Sequence, residues 1–151
     1  MSAPPTALEG TVRLTRGSLS LDIDLTVPAG KTLAVIGPNA AGKSSLLLAI
    51  AGSLALTSGW LAIEGRMVDA PPAPPEPAEL RGVGMVFPDP LLFPHLTALE
   101  NVAVGPRARG TARSVAQREA RAWLERFGVG EAADRRPSAL SGGEAQRVSL
   151  A

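Results

Sequence analysis

The chain has no cysteine and no tyrosine in 151 residues. The first absence excludes a disulfide framework and any cysteine metal site. Aromatic residues make up only 3% of a sequence that is 45% hydrophobic, so the core must be built from Leu, Val, Ile and Ala. No charge of one sign dominates, because 15 basic residues face 14 acidic ones for a net charge of +1. That balance leaves no electrostatic footprint for nucleic acid or for an anionic membrane surface. Thirteen of the basic residues are Arg, which reads as genomic base composition rather than function. No apolar run approaches the ~20 residues of a transmembrane helix. Met1-Ser2-Ala3-Pro4-Pro5 lacks the basic start and apolar core of a signal peptide. The expectation is a soluble, cytoplasmic chain of one domain, large enough for a real core.

What the chain does contain is concentrated at Thr32–Ser45. Leu33 to Ile36 is a short apolar run that predicts a buried strand, ended by Gly37-Pro38. From Ser44 the pattern is helical, with Leu47, Ile50 and Ala51 on one face and Gly52 as the stop. Between strand and helix lies Gly37-Pro38-Asn39-Ala40-Ala41-Gly42-Lys43-Ser44, a G-x-x-x-x-G-K-S phosphate-binding loop (P-loop, or Walker A motif). Such a loop aims consecutive backbone N–H groups and a helix N-terminus at phosphates. Lys43 would reach the β- and γ-phosphates, and the Ser44 hydroxyl would hold Mg²⁺.

Upstream, Thr11 to Thr15 and Ser18 to Val27 alternate polar and apolar residues around Arg16-Gly17, the pattern of a β-hairpin. Leu19, Leu21, Ile23, Leu25 and Val27 form its inward face. Downstream, Trp60 to Ile63 and Met67-Val68 flank Glu64-Gly65 as a second antiparallel pair. Pro71 to Pro77 is a polyproline-like loop rather than a domain boundary. Val83 to Phe87 predicts another strand, broken at Pro88-Asp89-Pro90. Leu99 to Val104 predicts a short helix ended by Gly105-Pro106. Thr111 to Phe127 predicts a longer amphipathic helix that buries Val115, Ala122, Trp123 and Phe127. The one histidine, His95, has a surface or packing role by default.

Leu140-Ser141-Gly142-Gly143-Glu144-Ala145-Gln146-Arg147 is the second informative stretch. Ser141 with Glu144 three residues on is a capping box, so a helix starts here. Two glycines beside the cap would let a phosphate approach that helix N-terminus closely.

A Walker A motif followed by L-S-G-G-E-x-Q-R resembles the ATP-binding cassette (ABC) ATPases over essentially the whole chain. The resemblance implies an α/β P-loop NTPase fold with a RecA-like core, an antiparallel β-subdomain and the start of a helical subdomain, incomplete at its C-terminal side. It divides the 1–151 nucleotide-binding domain into a β-subdomain and P-loop core (1–70), a Pro-rich loop (71–82), a glutamine-loop strand region (83–90), a helical subdomain (91–140) and the signature (140–151). It implies that Gly37, Pro38, Asn39, Ala40, Ala41, Gly42, Lys43, Ser44 and Ser45 bind ATP with Mg²⁺ on Ser44. Ser141, Gly142 and Gly143 would meet the γ-phosphate held by a second ATPase subunit, head to tail. The stretch Phe87–Thr97 with Glu100-Asn101-Val102 is similar to the importer branch, and within it to molybdate- and oxyanion-type importers. There it would dock a membrane-spanning permease, placing the chain on the inner face of the cell membrane. No nucleic-acid partner is expected.

Four departures from the family bear on activity. The chain ends before a Walker B strand, its catalytic Glu and the switch His would appear. The glutamine position is Pro88, which has neither a side-chain amide nor a backbone N–H. Residues 8–30 hold no aromatic to stack on adenine, and Ala41 stands where relatives often have Gly or another small residue. Phosphate binding is expected to survive these changes, with no catalytic residue in the chain and negligible hydrolysis by it alone. The favoured expectation is the N-terminal part of an importer ATPase. The alternative is a non-catalytic nucleotide-binding module or truncated product that regulates a full ATPase. A soluble DNA-repair or translation ATPase is disfavoured by Leu91–Asn101, and a small-molecule kinase by Leu140–Arg147.

Overall fold

The computed structural model describes residues 5–17 and 19–151. The chain divides into two compact units, one running to Met85 and the other starting at Val86.

The first unit is organised by an antiparallel hairpin, β1 (Thr6–Arg16) and β2 (Leu19–Pro28). Its register pairs Val12 with Ile23 and Leu14 with Leu21. β3 (Ser58–Ile63) and β4 (Arg66–Asp69) extend it to a four-stranded sheet of order β2-β1-β3-β4. The alternation read in β2 is real, with Leu21 and Leu25 buried while Asp22, Asp24 and Thr26 face solvent. Ser18, placed by the sequence at the start of the second strand, lies outside the described residues. The helix α1 (Lys43–Ile50) lays Leu46 and Ala49 into the core formed by Val12, Leu14, Leu21, Leu25, Leu56, Leu61 and Val68.

Three expectations need correcting. The Leu33–Ile36 run forms no strand, because no described segment pairs with its backbone, and Ile36 is 90% exposed. Val83–Phe87 is likewise unpaired coil. A strand exists only through its ladder partners, and apolar content alone cannot supply them. In α1 Leu46 and Ala49 are buried, Ile50 packs against the core and Ala51 is buried at the helix end, so of the expected face only Leu47, 47% exposed, is misplaced. Gly52 does terminate α1: the Gly52 N–H donates to Ala49 O and the Ser53 N–H to Leu48 O, a Schellman closure.

The second unit holds α2 (Ala98–Ala108), α3 (Arg113–Arg126) and α4 (Gly142–Leu150). Thr97 caps α2 in a reciprocal box with Glu100, and the Thr97 N–H pulls the Glu100 carboxyl below its ordinary value. Asn101 clamps the preceding loop, accepting from the Phe93 N–H and donating to the carbonyls of Phe93, Leu96 and Thr97. α2 does not stop at Gly105-Pro106, since Pro106 lies inside its last turn, where the missing N–H removes only one bond. Its Schellman closure falls later, with the Gly110 N–H on Arg107 O and the Thr111 N–H on Pro106 O.

The face of α3 also differs from expectation. Ala116, Ala120 and Leu124 are buried, spaced i, i+4, i+8, whereas Ala122 is exposed and Trp123 is 43% exposed. Trp123 instead stacks on Phe127 at 6.1 Å, with the Arg126 guanidinium 5.0 Å over its ring. Small alanines let α3 approach its neighbours closely, a preference that outweighs the larger side chain's hydrophobicity. Leu124, Val129 and Val148 pack with Ala98, Ala103, Ala116, Ala120, Ala132 and Ala133 to form this unit's core. His95 is exposed and lies edge-on to Phe93.

Candidate functional site: a phosphate cradle

The loop before α1 is built on the start of β2. A Cβ added at Gly42 would meet Leu21 Cδ1 at 3.2 Å and Leu19 Cδ1 at 3.3 Å, so the hairpin is the floor on which the loop rests. Gly42 is the N-cap of α1 at φ 89°, a left-handed conformation that glycine adopts without penalty. Ala40 also takes positive φ, 63°, without that freedom. Such strain is concentrated where a loop must hold an unusual shape for function. The sequence reading placed the conformational demand on the glycines and missed Ala40.

Because Gly42 has no side chain, α1 has no side-chain cap, and its first turn carries no acidic residue. The N–H groups of that turn are therefore left for an external acceptor, at the positive end of the helix dipole. Lys43 bends back over the loop, where its Nζ donates to Gly37 O at 2.9 Å and Pro38 O at 2.6 Å. Two neutral carbonyls hold the ammonium, and no carboxylate pairs with it among the described residues. An arriving phosphate thus finds a cation whose charge is not already neutralised.

Asn39, Ala40, Ala41, Gly42, Lys43, Ser44 and Ser45 all line one cavity of about 430 Å³. Gly37 and Pro38, expected in the same set, do not line it; their carbonyls hold the Lys43 ammonium. Leu19, at the start of β2, is an additional wall residue and, among the described residues, the only apolar side chain larger than alanine there. Sequence reasoning assigned Leu19 to the hairpin's inward face and gave no sign that it faces the cavity. The exposed Ser44 hydroxyl is the one side-chain oxygen at the position expected to hold Mg²⁺. A single hydroxyl suits that ion, which keeps several waters and takes its remaining ligands from substrate phosphates.

The second set of site residues belongs to the other unit. Ser141 is the N-cap of α4, and Gly142 and Gly143 open the helix. A Cβ at Gly142 would meet nothing within 4 Å, so this helix end is open to an approaching group. The Ser141 hydroxyl is committed within the cap: it accepts from the Glu144 N–H at 3.3 Å and donates to Glu144 Oε2 at 2.8 Å. Glu144 also accepts from the Ser141 N–H at 2.8 Å and pairs with Arg135. Those donors, the Ser141 N–H foremost, lower the Glu144 carboxyl to about 2. Arg135 was not read as a partner, because nine residues separate it from Glu144. Pro88 is exposed in a bend and offers no side-chain donor or acceptor.

The molybdenum import ATP-binding protein ModC of Mycobacterium tuberculosis is 43% identical over 136 residues, which span 87% of this chain and 37% of that protein. The glutamine transport ATP-binding protein GlnQ of Escherichia coli K12 is 44% identical over 131 residues, 86% of this chain and 54% of that protein. The maltose/maltodextrin import ATP-binding protein MalK of the same strain is 41% identical over 133 residues, 87% and 34% respectively. The chain thus spans about a third to a half of the length of these relatives. The ABC transporter family model matches residues 21–151, a span that runs from β2 through the cradle to the end of the glycine-led helix, and on that match the chain belongs to the ABC transporter family.

Proposed function

We propose that this chain is the ATP-binding portion of an ABC importer subunit, with the Gly37–Ser45 loop holding the nucleotide's phosphates. The observation that carries this reading is the cradle itself: an uncapped helix N-terminus, a positively charged Lys43 without a carboxylate partner, and a cavity lined by the loop. Lys43 would exchange its two carbonyl contacts for β- and γ-phosphate oxygens. Ser44 would supply a hydroxyl to Mg²⁺, whose role is to neutralise charge developing on the phosphates. Leu19 is the apolar wall that the base or ribose would meet, in the absence of an upstream aromatic.

The printed names of the relatives describe import of molybdenum, glutamine and maltose, which supports an importer role without choosing among solutes. Under this reading the open end of α4 at Ser141–Gly143 serves a nucleotide held by a second ATPase subunit. The Phe87–Thr97 stretch docks a membrane permease, and the chain works at the cytoplasmic side of the membrane. No helix among the described residues is long and apolar enough to cross a membrane, so the transport path would belong to that partner.

The test is nucleotide-induced stabilisation of the purified chain. Mg-ATP should raise its melting temperature, and inorganic phosphate at the same concentration should do so far less. Equal melting curves with and without Mg-ATP would overturn the assignment. Pro88 favours one further reading, in which the module binds ATP but positions no attacking water through this residue.

A further inference from the structure

We infer that Arg81 is a positioning residue for the phosphate cradle, acting through the opposite end of α1. This rests on the nucleotide-binding reading above and adds a part that the loop motif does not contain. Arg81 is 1% exposed, the largest fully buried side chain among the described residues, and its charge lies at the C-terminus of the helix whose N-terminus forms the cradle.

Its guanidinium is spent on backbone carbonyls. Nη1 donates to Ala49 O at 2.7 Å and Ile50 O at 3.4 Å, two carbonyls of the last turn of α1. Nε donates to Glu76 O at 2.8 Å and Nη2 to Val68 O at 3.3 Å. One planar fork therefore ties the end of α1 to β4 and to the Pro-rich loop. The buried counter-charge is Asp69, whose Oδ2 lies 3.8 Å from Nη2 and accepts from the Leu56 N–H at 3.1 Å. Its Oδ1 is buried with no hydrogen-bond partner. The fork has thus been aimed at the helix carbonyls in preference to a closer pairing with Asp69. A positive charge on those carbonyls complements the negative end of the helix dipole.

The backbone is shaped to admit this contact. A Cβ at Gly52 would lie 2.7 Å from Arg81 Nε and 2.9 Å from Ala78 Cα, and Gly52 has φ 85°. Only glycine allows the chain to leave α1 while the guanidinium passes so close. The eight residues of α1 are a rigid rod of about 12 Å. With Leu46 and Ala49 as its buried contacts, the carbonyl clamp on its last turn fixes how far and at what tilt its first turn projects. Lys43 and Ser44 ride on that turn.

The experiment is nitrogen-15 NMR of the wild-type chain titrated with a non-hydrolysable ATP analogue and Mg²⁺. Filling the cradle should shift the Gly42–Ser45 amides and, with the same midpoint, the Arg81 Nε–H, although no phosphate reaches Arg81. Coupling is reciprocal, so a residue that positions the cradle must sense its occupancy. Shifted cradle amides with an unmoved Arg81 Nε–H would overturn the inference and leave nucleotide binding standing. No shift at either place would overturn nucleotide binding itself and the inference with it. As a second readout, Arg81→Lys keeps the cation but loses the fork, and should weaken the analogue's Kd about tenfold in the folded fraction. An unchanged Kd in folded protein would sink the positioning role, because a purely structural residue alters how much protein folds and not how tightly that fraction binds. If the variant does not fold, the wild-type spectrum decides.

Discussion

The Lys43 ammonium rests 2.6 Å from the carbonyl oxygen of Pro38, inside its own loop. This contact holds the cation at the cavity, and on the proposed reading it would be exchanged for a stronger, charge-assisted bond to phosphate. Lys43→Ala removes the cation and leaves the loop's N–H groups in place. With Mg-ATP about a hundredfold above its Kd, wild-type protein should gain ~2.7 kcal/mol of stability, several degrees in melting temperature. The variant should gain almost none of it. A variant stabilised as strongly as wild type would remove Lys43 from the site.

Ser44→Ala separates the metal from the phosphates. The hydroxyl lies at the start of α1 and lines the same cavity as Lys43. In the presence of EDTA, ATP should stabilise wild type and variant equally, because the anion cradle is intact. Adding Mg²⁺ should tighten binding to wild type by about tenfold more than to the variant, roughly 1.4 kcal/mol. Calorimetric titration with and without Mg²⁺ measures the difference directly, and equal increments would mean that Ser44 does not meet the ion.

The cradle and the α4 cap were legible in the sequence because each is a local device. Gly42, Lys43 and Ser44 are adjacent, and Ser141 and Glu144 are three residues apart, so spacing alone brings the groups together. The alternation of the hairpin strands was legible for the same reason, but the turn was not, because Arg16, read as part of the turn, lies in β1 and pairs with Leu19. Leu33–Ile36 failed because a buried strand is defined by neighbours that its own residues do not specify. Arg81 gave no signal at all. Standing between Leu80 and Gly82, it reads as an ordinary surface cation, and only the fold shows that its partners are carbonyls some thirty residues earlier.

The packing of α3 can be tested by two neighbouring substitutions that the sequence would rank in the opposite order. Leu124 is fully buried in a core made largely of alanine, which has few side chains able to collapse into a void. Leu124→Ala should therefore cost about 2–5 kcal/mol. Trp123→Ala loses its stacking on Phe127 and the Arg126 contact, together about 1 kcal/mol. Urea unfolding of both variants checks the order, and a larger loss for Trp123→Ala would show that the aromatic is a core residue after all.

Acid should loosen α4 through one carboxylate. The Ser141 N–H, Arg135 and the Ser141 hydroxyl hold the Glu144 carboxyl at about 2, against an ordinary value of 4.5. A folded-state value below the unfolded one means that the folded state prefers the ionised form. The resulting stability is present above 4.5 and disappears as the pH falls from there towards 2. Glu100, shifted in the same direction by the Thr97 N–H, adds to the same slope from α2. Glu144→Gln keeps the size of the side chain and cannot titrate. Its melting temperature should be lower than wild type at neutral pH, where the carboxylate is bonded, and the two curves should converge towards pH 2. Ser141→Ala, which removes the reciprocal half of the cap, should lower stability at neutral pH by about 1 kcal/mol. Melting curves for wild type and Glu144→Gln that stay parallel across the acid range would place the pH dependence elsewhere in the chain.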